Sequence, residues 1–313
     1  MCAIAGFFSI NGKYLQEKIL FDVLSSMNMR GPDGTSVLSK DLNNTLNWTS
    51  IKNKKNERIL KMGFGCSRLA LLDISNQGLQ PICSNNKKIW VSLNGEIFNY
   101  LELQKTLKLR GYHFRTKTDT EVIANAFQEW GVKSFEMFNG QFSISLFDEK
   151  NNTLFIIRDR IGIVPIYFKK TKDLFVFCSQ IKPIRKFFQN SIEINNDQII
   201  KKLSLPYKLH GISNDTLFDQ VFSLKPGSFL QLNLENLNFN QNNFVSLSDI
   251  KINNKKSYYD FREELKSLLI DSIKIRLRTD RKYGFILSGG IDSSSILGIA
   301  KKELNVQPYS FSL

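Results

Sequence analysis

The 313-residue chain is 42% apolar, carries a formal net charge of +14 and contains four cysteines and two histidines. Its length favours two domains, and the lack of an apolar run of ~18–20 residues or of a basic-then-apolar leader predicts a cytoplasmic protein that does not contact a membrane. Scattered lysines disfavour nucleic-acid binding, widely spaced cysteines without a C-x-x-C pair disfavour zinc sites and disulfides, and scarce histidines disfavour histidine-based catalysis.

The first predicted strand covers residues 3–10 and directly follows a cysteine. A short apolar run that ends at Asn11-Gly12 is typical of a buried strand that enters a hairpin turn. If the initiator Met1 is removed, Cys2 carries a free α-amine beside its thiol. One residue then supplies a nucleophile and a weak base of pKa ~7.7–8.0. The alternative is an ordinary buried cysteine.

An amphipathic helix is predicted at 15–29, and the next two predicted strands each carry polar groups of interest. The mostly apolar residues 62–73 include Arg68, which must find an anion or stay solvated because an unpaired buried charge is costly. A carboxylate on a ligand and a surface position both satisfy this condition. The strand at 89–93 runs into Asn94-Gly95, a predicted sharp turn. The Asn94 side-chain amide and a backbone N–H of this turn are the kind of donors that form an oxyanion hole. A plain tight turn is the commoner use of Asn-Gly.

The rest of the first half alternates helices and strands. Thr118 or Asp119 is a candidate N-cap for the helix that follows, and period-2 patterns predict strands. Residues 241–256, rich in Asn and Lys, are predicted as a linker between a domain at 2–240 and a second unit at 257–313. The predicted elements are helices at 101–110, 122–130 and from 181, a strand at 174–178, and hairpins at 141–158 and 221–234.

The second unit is predicted as the start of a parallel α/β sheet. A helix at 259–278 precedes a short buried strand at 283–287, a loop, a helix at 295–304 and a strand from 309. The loop's glycines let backbone N–H groups approach an anion at a helix N-terminus, and its serines add donors. It lacks the lysine of a P-loop, so it suits a pyrophosphate group and adenylation chemistry. The candidate nucleotide-binding residues are Leu287, Ser288, Gly289, Gly290, Asp292 and Ser293.

Residues from distant parts of the first half make up one chemical set. They supply a thiol with its own amine, a cation, an oxyanion site and two carboxylates. Together these groups hold an α-amino acid at both ends while a thiolate attacks its side-chain amide, which indicates glutamine as the substrate. The set consists of Cys2, Arg68, Asn94, Gly95, Glu96 and Asp119.

The sequence resembles the glutamine-hydrolysing asparagine synthetase family. This resemblance implies an N-terminal nucleophile hydrolase-type αββα sandwich, a class II glutamine amidotransferase domain, followed by the start of a parallel α/β ATP pyrophosphatase domain. The matching strings keep the family's order and lie at residues 1–6, 30–33, 67–69, 80–81, 94–100, 118–121, 158–162 and 288–294.

The resemblance also implies a role for each site residue. Cys2 is the nucleophile and forms a γ-glutamyl thioester while its α-amine relays the proton. Asn94 and the Gly95 N–H stabilise the oxyanion. Arg68 pairs with the glutamine α-carboxylate, Glu96 and Asp119 pair with its α-amine, and backbone around Leu71 and Leu72 lines the pocket.

For the complete synthetase, the resemblance implies ATP, Mg²⁺ and L-aspartate. Ammonia released at Cys2 travels through an internal tunnel to an aspartyl-AMP, and no cofactor is needed for glutamine hydrolysis itself. No residue of this chain is assigned as a metal ligand.

The chain also departs from the family pattern. Ala3 replaces a glycine beside the nucleophile, which restricts the backbone if φ must be positive there. Val164 replaces a lysine, Gln180 a glutamate, and Arg281-Lys282 a Val-Pro pair. Because the sequence ends at Leu313, before most of a synthetase domain, we expect this chain alone to be limited to glutamine hydrolysis.

Several alternatives follow from the same sequence. One is a relative that amidates a different carboxylate, for example on a cell-surface sugar. Another is a non-catalytic remnant or a partner-binding module. A homodimer, or a separately encoded synthetase half that pairs with the uncovered parallel sheet, is also compatible with the sequence.

Overall fold

The computed structural model describes residues 1–50, 58–189, 191–204, 214–245, 256–307 and 309–312. The chain divides into two compact units, Met1–Ser246 and Leu247–Leu313. Among the residues just given, every helix is too short or too polar to cross a membrane.

The strands are β1 (Ala3–Ser9), β2 (Leu15–Gln16), β3 (Gly34–Asp41), β4 (Leu46–Ser50), β5 (Ile59–Arg68), β6 (Ile82–Cys83), β7 (Ile89–Ile97), β8 (Gly140–Asp148), β9 (Thr153–Arg158), β10 (Tyr167–Lys170), β11 (Leu174–Cys178), β12 (Phe222–Ser223), β13 (Ser228–Asn233), β14 (Phe239–Asn243), β15 (Gly284–Leu287) and β16 (Tyr309–Ser312). The helices are α1 (Glu17–Ser25), α2 (Tyr100–Leu109), α3 (Asp119–Trp130), α4 (Ser134–Met137), α5 (Ile181–Ile184), α6 (Asn196–Ser204), α7 (Tyr258–Arg276) and α8 (Ile291–Lys302).

Two antiparallel sheets make up the first unit. In its described part, the first sheet has the order β12-β10-β11-β1-β5-β3-β4 with β2 paired to β5, and the second has the order β14-β13-β9-β8-β7-β6. The strand that follows Cys2 pairs with β5 on one side and β11 on the other. The N-terminal strand is therefore held inside its sheet, where the chain end does not fray.

Three apolar cores separate four layers in this unit. The first core lies between α1, α5 and the first sheet, the second lies between the two sheets, and the third lies between the second sheet and α2, α3 and α4. The arrangement is an αββα sandwich, as predicted. Each strand at its centre is covered on both faces, which explains why these strands read as continuous apolar runs.

Strand β1 contributes to two of these cores. Ala3, Ala5 and Phe7 pack toward α1, whereas Ile4 and Phe8 pack between the sheets, because successive side chains of a strand point to opposite faces. The backbone of Ala3 is extended and its side chain is fully buried. The restriction considered for an alanine at this position therefore does not arise, since no positive φ is required.

Several predicted elements are confirmed, although some boundaries differ. The hairpin of β8 and β9, the strand β11 and the helix α2, which ends before Gly111 at φ +88°, lie where the sequence places them. The helix predicted at 15–29 covers only Glu17–Ser25, because its first two residues form β2 and pair with β5, and residues 26–29 form turns. The predicted linker at 241–256 begins with residues 241–243 of β14, and residues 246–255 lie outside the described residues.

Two predicted hairpins are wrong. Asn11 and Gly12 form a turn with φ of +55° and +79°, but β1 pairs with β5 and β11 and not with β2. Around Pro226, β12 pairs with β10 in the first sheet while β13 pairs with β9 in the second. The chain therefore crosses between sheets there, and turn-forming residues alone do not identify the strand's partner.

The second unit shows the predicted strand–loop–helix–strand order. Strands β15 and β16 are parallel and in register from Gly284 with Tyr309 to Leu287 with Ser312, and α8 connects them. The predicted burial is wrong, because Ile286 in β15 is 65% exposed. Along α7, Ile273 is buried but most of the apolar face is exposed. Two strands and two helices, the described part of this unit, are too few to cover that face.

Candidate active site

A cavity of about 60 Å³ lies where β1, β5 and β7 meet the start of α3. It collects residues that are up to 140 positions apart in the sequence, and most of the predicted glutamine-site residues line it. The predicted oxyanion donor Asn94 is the exception: it is fully buried and is not among the lining residues, although its neighbours Leu93 and Gly95 are. The lining residues are Met1, Cys2, Arg68, Leu69, Leu71, Leu72, Gln80, Leu93, Gly95, Glu96, Thr118, Asp119, Thr120 and Gln141.

The Cys2 thiol is held against the end of β5. Its Sγ accepts a hydrogen bond from the Leu69 N–H at 3.3 Å and lies 3.6 Å from the Leu69 carbonyl oxygen. A hydrogen bond from the Cys66 thiol, together with that N–H, lowers the pKa of Cys2 although burial opposes the shift. A thiol with a lowered pKa is a nucleophile, which favours the catalytic interpretation over a structural cysteine.

Cys66 remains a donor to this thiolate. Burial, followed by the neighbouring Cys2, holds the pKa of the Cys66 thiol well above its ordinary value. Both cysteines project into the core between the sheets. The two thiols therefore have different protonation preferences within one apolar environment, with Cys2 as the more acidic.

The Arg68 guanidinium is almost fully buried, and a loop wraps around it. It donates to the carbonyl oxygens of Leu72 and Ser75 at 2.8 Å each, and also to that of Asp73. Three of its five N–H donors are thus used to hold the loop that forms one wall of the cavity. Burial lowers the pKa of Arg68, but an arginine stays protonated in proteins. The site therefore contains a fixed positive charge.

Two carboxyl groups, those of Glu96 and Asp119, also line the cavity. Burial, and then the nearby Asp119 carboxylate, raise the pKa of Glu96 to about 7. Burial also raises the pKa of Asp119 to about 6, although the Ile97 N–H donates to this carboxylate at 2.9 Å and opposes the shift. Two neighbouring carboxyls, one buried and one half-buried, are costly to ionise together. Their arrangement fits a positively charged ligand group.

The predicted turn at Asn94-Gly95 is wrong. Strand β7 continues through both residues, in register with β8, as far as Ile97. Gly95 has φ +131°, and a Cβ there would lie 2.0 Å from the Gln141 carbonyl oxygen. The glycine is needed because two strands approach closely and its backbone adopts a conformation that other residues disfavour.

Leu93 and Ile97, two residues before and after Gly95, direct their N–H groups away from β8. The Leu93 N–H donates to Gln80 Oε1 at 2.6 Å, and the Ile97 N–H donates to Asp119 Oδ2 at 2.9 Å. Gly95 lies between them on the same edge and lines the cavity. The alternation of strand hydrogen bonds therefore places the Gly95 N–H at the cavity edge.

The pairing with β8 supports this placement. Phe142, the register partner of Gly95, uses its N–H and its carbonyl oxygen for Asp159, at 3.2 Å and 2.9 Å. Gly95 and Phe142 are thus a pair that does not exchange backbone hydrogen bonds. Asp159, from the string at 158–162, acts here as a structural carboxylate.

Sequence reasoning missed three residues around the nucleophile. Arg30 Nε donates to the Cys2 carbonyl oxygen at 3.2 Å, Gln80 holds the Leu93 N–H, and Cys66 faces Cys2. Arg30 and Gln80 lie within strings that the family resemblance includes, so their position was signalled but their contacts were not. Cys66 lies two residues before Arg68 in β5, a spacing that places it on the same strand face.

The Ser288–Ser293 loop lies in the second unit, between β15 and α8. Gly290 is the N-cap of α8 and offers no side chain, so it accepts no hydrogen bond from the first N–H groups of the helix. Gly289 has φ +77°, with open space where a Cβ would lie. The Ser288 and Ser293 hydroxyls are 3.2 Å apart. These donors fit the phosphate groups of a nucleotide.

A metal site is a separate matter. The parts of the chain that the structure describes contain no group of three or more His, Cys, Asp or Glu side chains that could hold a metal ion.

Comparisons with known proteins give two family matches, one in each unit of the chain. Residues 1–244 match the glutamine amidotransferase domain family, and residues 264–313 match the asparagine synthase family. A Methanocaldococcus jannaschii protein named "Putative asparagine synthetase (glutamine-hydrolyzing) 2" is 32% identical over 96% of this chain and 57% of its own length. Asparagine synthetase (glutamine-hydrolyzing) 2 of Bacillus subtilis is 28% identical over 99% of this chain and 40% of its own length. The chain thus spans about half the length of these relatives.

A solved structure shows the same fold. The glutamine phosphoribosylpyrophosphate amidotransferase of Bacillus subtilis, complexed with ADP and GMP, superimposes with a TM-score of 0.58 at 16% identity, over 99% of this chain and 65% of that chain. The first unit therefore shares the αββα fold of that structure, as predicted.

Proposed function

The chain belongs to the glutamine amidotransferase domain family, and on that premise we propose that it hydrolyses the side-chain amide of glutamine at Cys2. The observation that carries this proposal is the cavity itself. It places a thiol of lowered pKa, a fixed guanidinium and two carboxyls around one small space. The thiol suits attack on the side-chain amide of glutamine, the guanidinium suits its α-carboxylate, and the two carboxyls suit its α-ammonium.

Binding uses the charged groups that line the cavity. Arg68 pairs with the α-carboxylate of glutamine, and Glu96 and Asp119 pair with its α-ammonium. Leu71 and Leu72 also line the cavity. An ammonium ion that enters between the carboxyls favours their charged forms, which offsets the cost of burying them.

The chemical step begins when the α-amine of Cys2 takes the thiol proton and the resulting thiolate attacks the amide carbon. The oxyanion that develops receives hydrogen bonds from Asn94 Nδ2 and from the Gly95 N–H, each worth about 2.7–4 kcal/mol in comparable sites. The C–N bond then breaks and the α-amine of Cys2 passes a proton to the departing nitrogen, which leaves as ammonia. Water attacks the resulting thioester, and glutamate and the free thiol are released.

A direct assay tests this activity. With Met1 removed, the purified chain is expected to release one ammonia and one glutamate per glutamine, without ATP. Asparagine is the matched control substrate, because its side chain is one methylene shorter and holds the amide away from Cys2. A misplacement of about 1 Å can cost about 10²-fold in rate. Equal rates with both substrates would contradict the assigned binding mode.

The pH profile of this activity is expected to reflect the two raised carboxyl pKa values. Below about 7 for Glu96 and about 6 for Asp119, each group is neutral and no longer attracts the α-ammonium. We therefore expect kcat/KM to fall as the pH is lowered through this range, by up to roughly tenfold per pH unit for each group, mainly through a rise in KM.

Glu96→Gln is the matched variant for the pH profile. It keeps the shape of the side chain and removes the group that titrates near 7. The variant should bind glutamine more weakly above that pH, and its KM should then rise at low pH only through the titration of Asp119. A wild-type profile that stays flat down to about pH 5 would exclude a role for these carboxylates in binding.

For the complete enzyme we propose that the ammonia is transferred to aspartate after its activation by ATP. The support is the asparagine synthase match at 264–313 and the names of the relatives. Leu287, Ser288, Gly289, Gly290, Asp292 and Ser293 would hold the phosphate groups, and ATP would supply adenylation of the carboxylate. Mg²⁺ would accompany the nucleotide. On this proposal the glutaminase domain covers 2–240 and the synthetase part begins at 257.

A further inference from the structure

Ser179 lies directly after β11, with 1% of its surface exposed, and its hydroxyl accepts two hydrogen bonds. The Ile4 N–H donates to Ser179 Oγ at 3.0 Å, and Asn94 Nδ2 donates to the same atom at 3.2 Å. In addition, the Ser179 N–H donates to the Ile4 carbonyl oxygen at 2.9 Å. Backbone and side chain of Ser179 both bind β1, so the first sheet fixes the hydroxyl's position.

This hydroxyl connects the two sheets close to the nucleophile. Ile4 belongs to β1 and lies two residues after Cys2, whereas Asn94 belongs to β7 in the opposite sheet. The contact therefore fixes the Asn94 amide relative to the strand that carries Cys2. Neither Ser179 nor Asn94 is among the residues that line the cavity, but Asn94 lies between Leu93 and Gly95 on β7, and both of these line it.

The orientation of the Asn94 amide depends on this contact. Its Oδ1 is buried and has no hydrogen-bond partner among the described residues. The terminal torsion of an asparagine has broad energy wells. The bond from Nδ2 to Ser179 therefore selects one rotation of the amide, and the second Nδ2 proton remains for another acceptor.

We propose that Ser179 is a positioning residue for glutamine hydrolysis, which holds the Asn94 amide so that its second Nδ2 proton is directed at the developing oxyanion. The inference rests on the proposed function, in which Asn94 is an oxyanion donor. A donor that must reorganise during the reaction stabilises the transition state less than one that is already in place.

The kinetic test compares three variants with the wild type. Ser179→Ala removes the acceptor of Asn94 Nδ2, so kcat is expected to fall about 10–100-fold, less than the 10²–10³-fold typical for loss of an oxyanion donor, with KM within about twofold. Ser179→Thr keeps the hydroxyl and should retain most of the rate. Ser145→Ala is the matched control, because Ser145 is an equally buried serine on β8 whose hydroxyl has no partner among the described residues.

A double-mutant cycle separates positioning from general loss of structure. If Ser179 acts through Asn94, Ser179→Ala should cost little or nothing further in an Asn94→Ala background. Full additivity of the two changes, or an equal rise in KM and fall in kcat, would overturn the proposal. So would a similar loss in Ser145→Ala.

A measurement without turnover keeps this inference distinct from the proposed function. In protein labelled with ¹⁵N-asparagine, the side-chain amide signal of Asn94, assigned by its loss in Asn94→Ala, should shift in Ser179→Ala and not in Ser145→Ala. An unchanged signal overturns the proposal whether or not the chain is active. If the signal shifts but the wild type shows no Cys2-dependent glutamine hydrolysis, the proposed function fails and the Ser179–Asn94 contact stands.

Discussion

Replacing Cys2 by serine is expected to lower the rate of glutamine hydrolysis by about 10⁴-fold or more, the range seen when a hydrolase loses its nucleophile. The thiolate, which hydrogen bonds from Cys66 and from the Leu69 N–H stabilise, is the form that attacks. A serine hydroxyl at the same place is not ionised near neutral pH and is a weak nucleophile without a strong base. Ammonia release from purified Cys2→Ser and wild-type protein measures the difference.

Cys83→Ser is the matched control for this substitution. Cys83 is also buried, and it lies on β6 outside the cavity lining, where its Sγ accepts from Arg115 at 3.4 Å. The control makes the same change of sulfur to oxygen and should leave the rate within about twofold, as expected away from the reacting groups. Equal ammonia release from Cys2→Ser and wild type would rule out Cys2 as the nucleophile.

The sequence predicts strands well where both faces are buried. The strand β11 and the β8–β9 hairpin read as apolar or alternating runs with turn residues between them, and the structure confirms them. These elements carry their signal locally, in the periodicity of side chains. The αββα layers follow once two such sheets must cover each other's apolar faces.

Strand partners are much harder to predict from the sequence. The segments on either side of Pro226 look like one hairpin, yet they pair with different sheets. Asn94-Gly95 looks like a turn, yet the glycine is there because the Gln141 backbone leaves no room for a Cβ. In both cases the deciding contact comes from a strand far away in the sequence, which local propensity does not report.

In the candidate site, too, the sequence identifies some residues and only the fold identifies others. Arg68 and Glu96 are unusual residues in apolar strands, so a charge at these positions signals chemistry. Ser179 is a common residue at a strand end, and only the fold shows that its hydroxyl joins β1 to the Asn94 amide. Residues that act by position are therefore invisible until the two sheets are placed together.

A chain in which Cys2 has no free α-amine is expected to be nearly inactive. Met1 lines the cavity and is half exposed, so in our proposal it must be removed to open the site and to free the amine. General base catalysis by a positioned group contributes about 10²–10⁴-fold, and an amine of pKa ~7.7–8.0 is well matched to this task. A fusion whose cleavage exposes Cys2 as the first residue should gain activity by that factor.

The decisive control differs from the active form by one residue. A second fusion, cleaved to leave a glycine before Cys2, folds with the same β1 pairing but moves the amine away from the thiol, and Gly-Cys2 protein should stay as inactive as the uncut fusion. Mass spectrometry of each sample verifies its first residue. If the Gly-Cys2 form hydrolyses glutamine at the rate of the free Cys2 form, the proton is carried by another group. Glu96, whose pKa is raised to about 7 by burial and by Asp119, is then the base to test next, since it lines the same cavity.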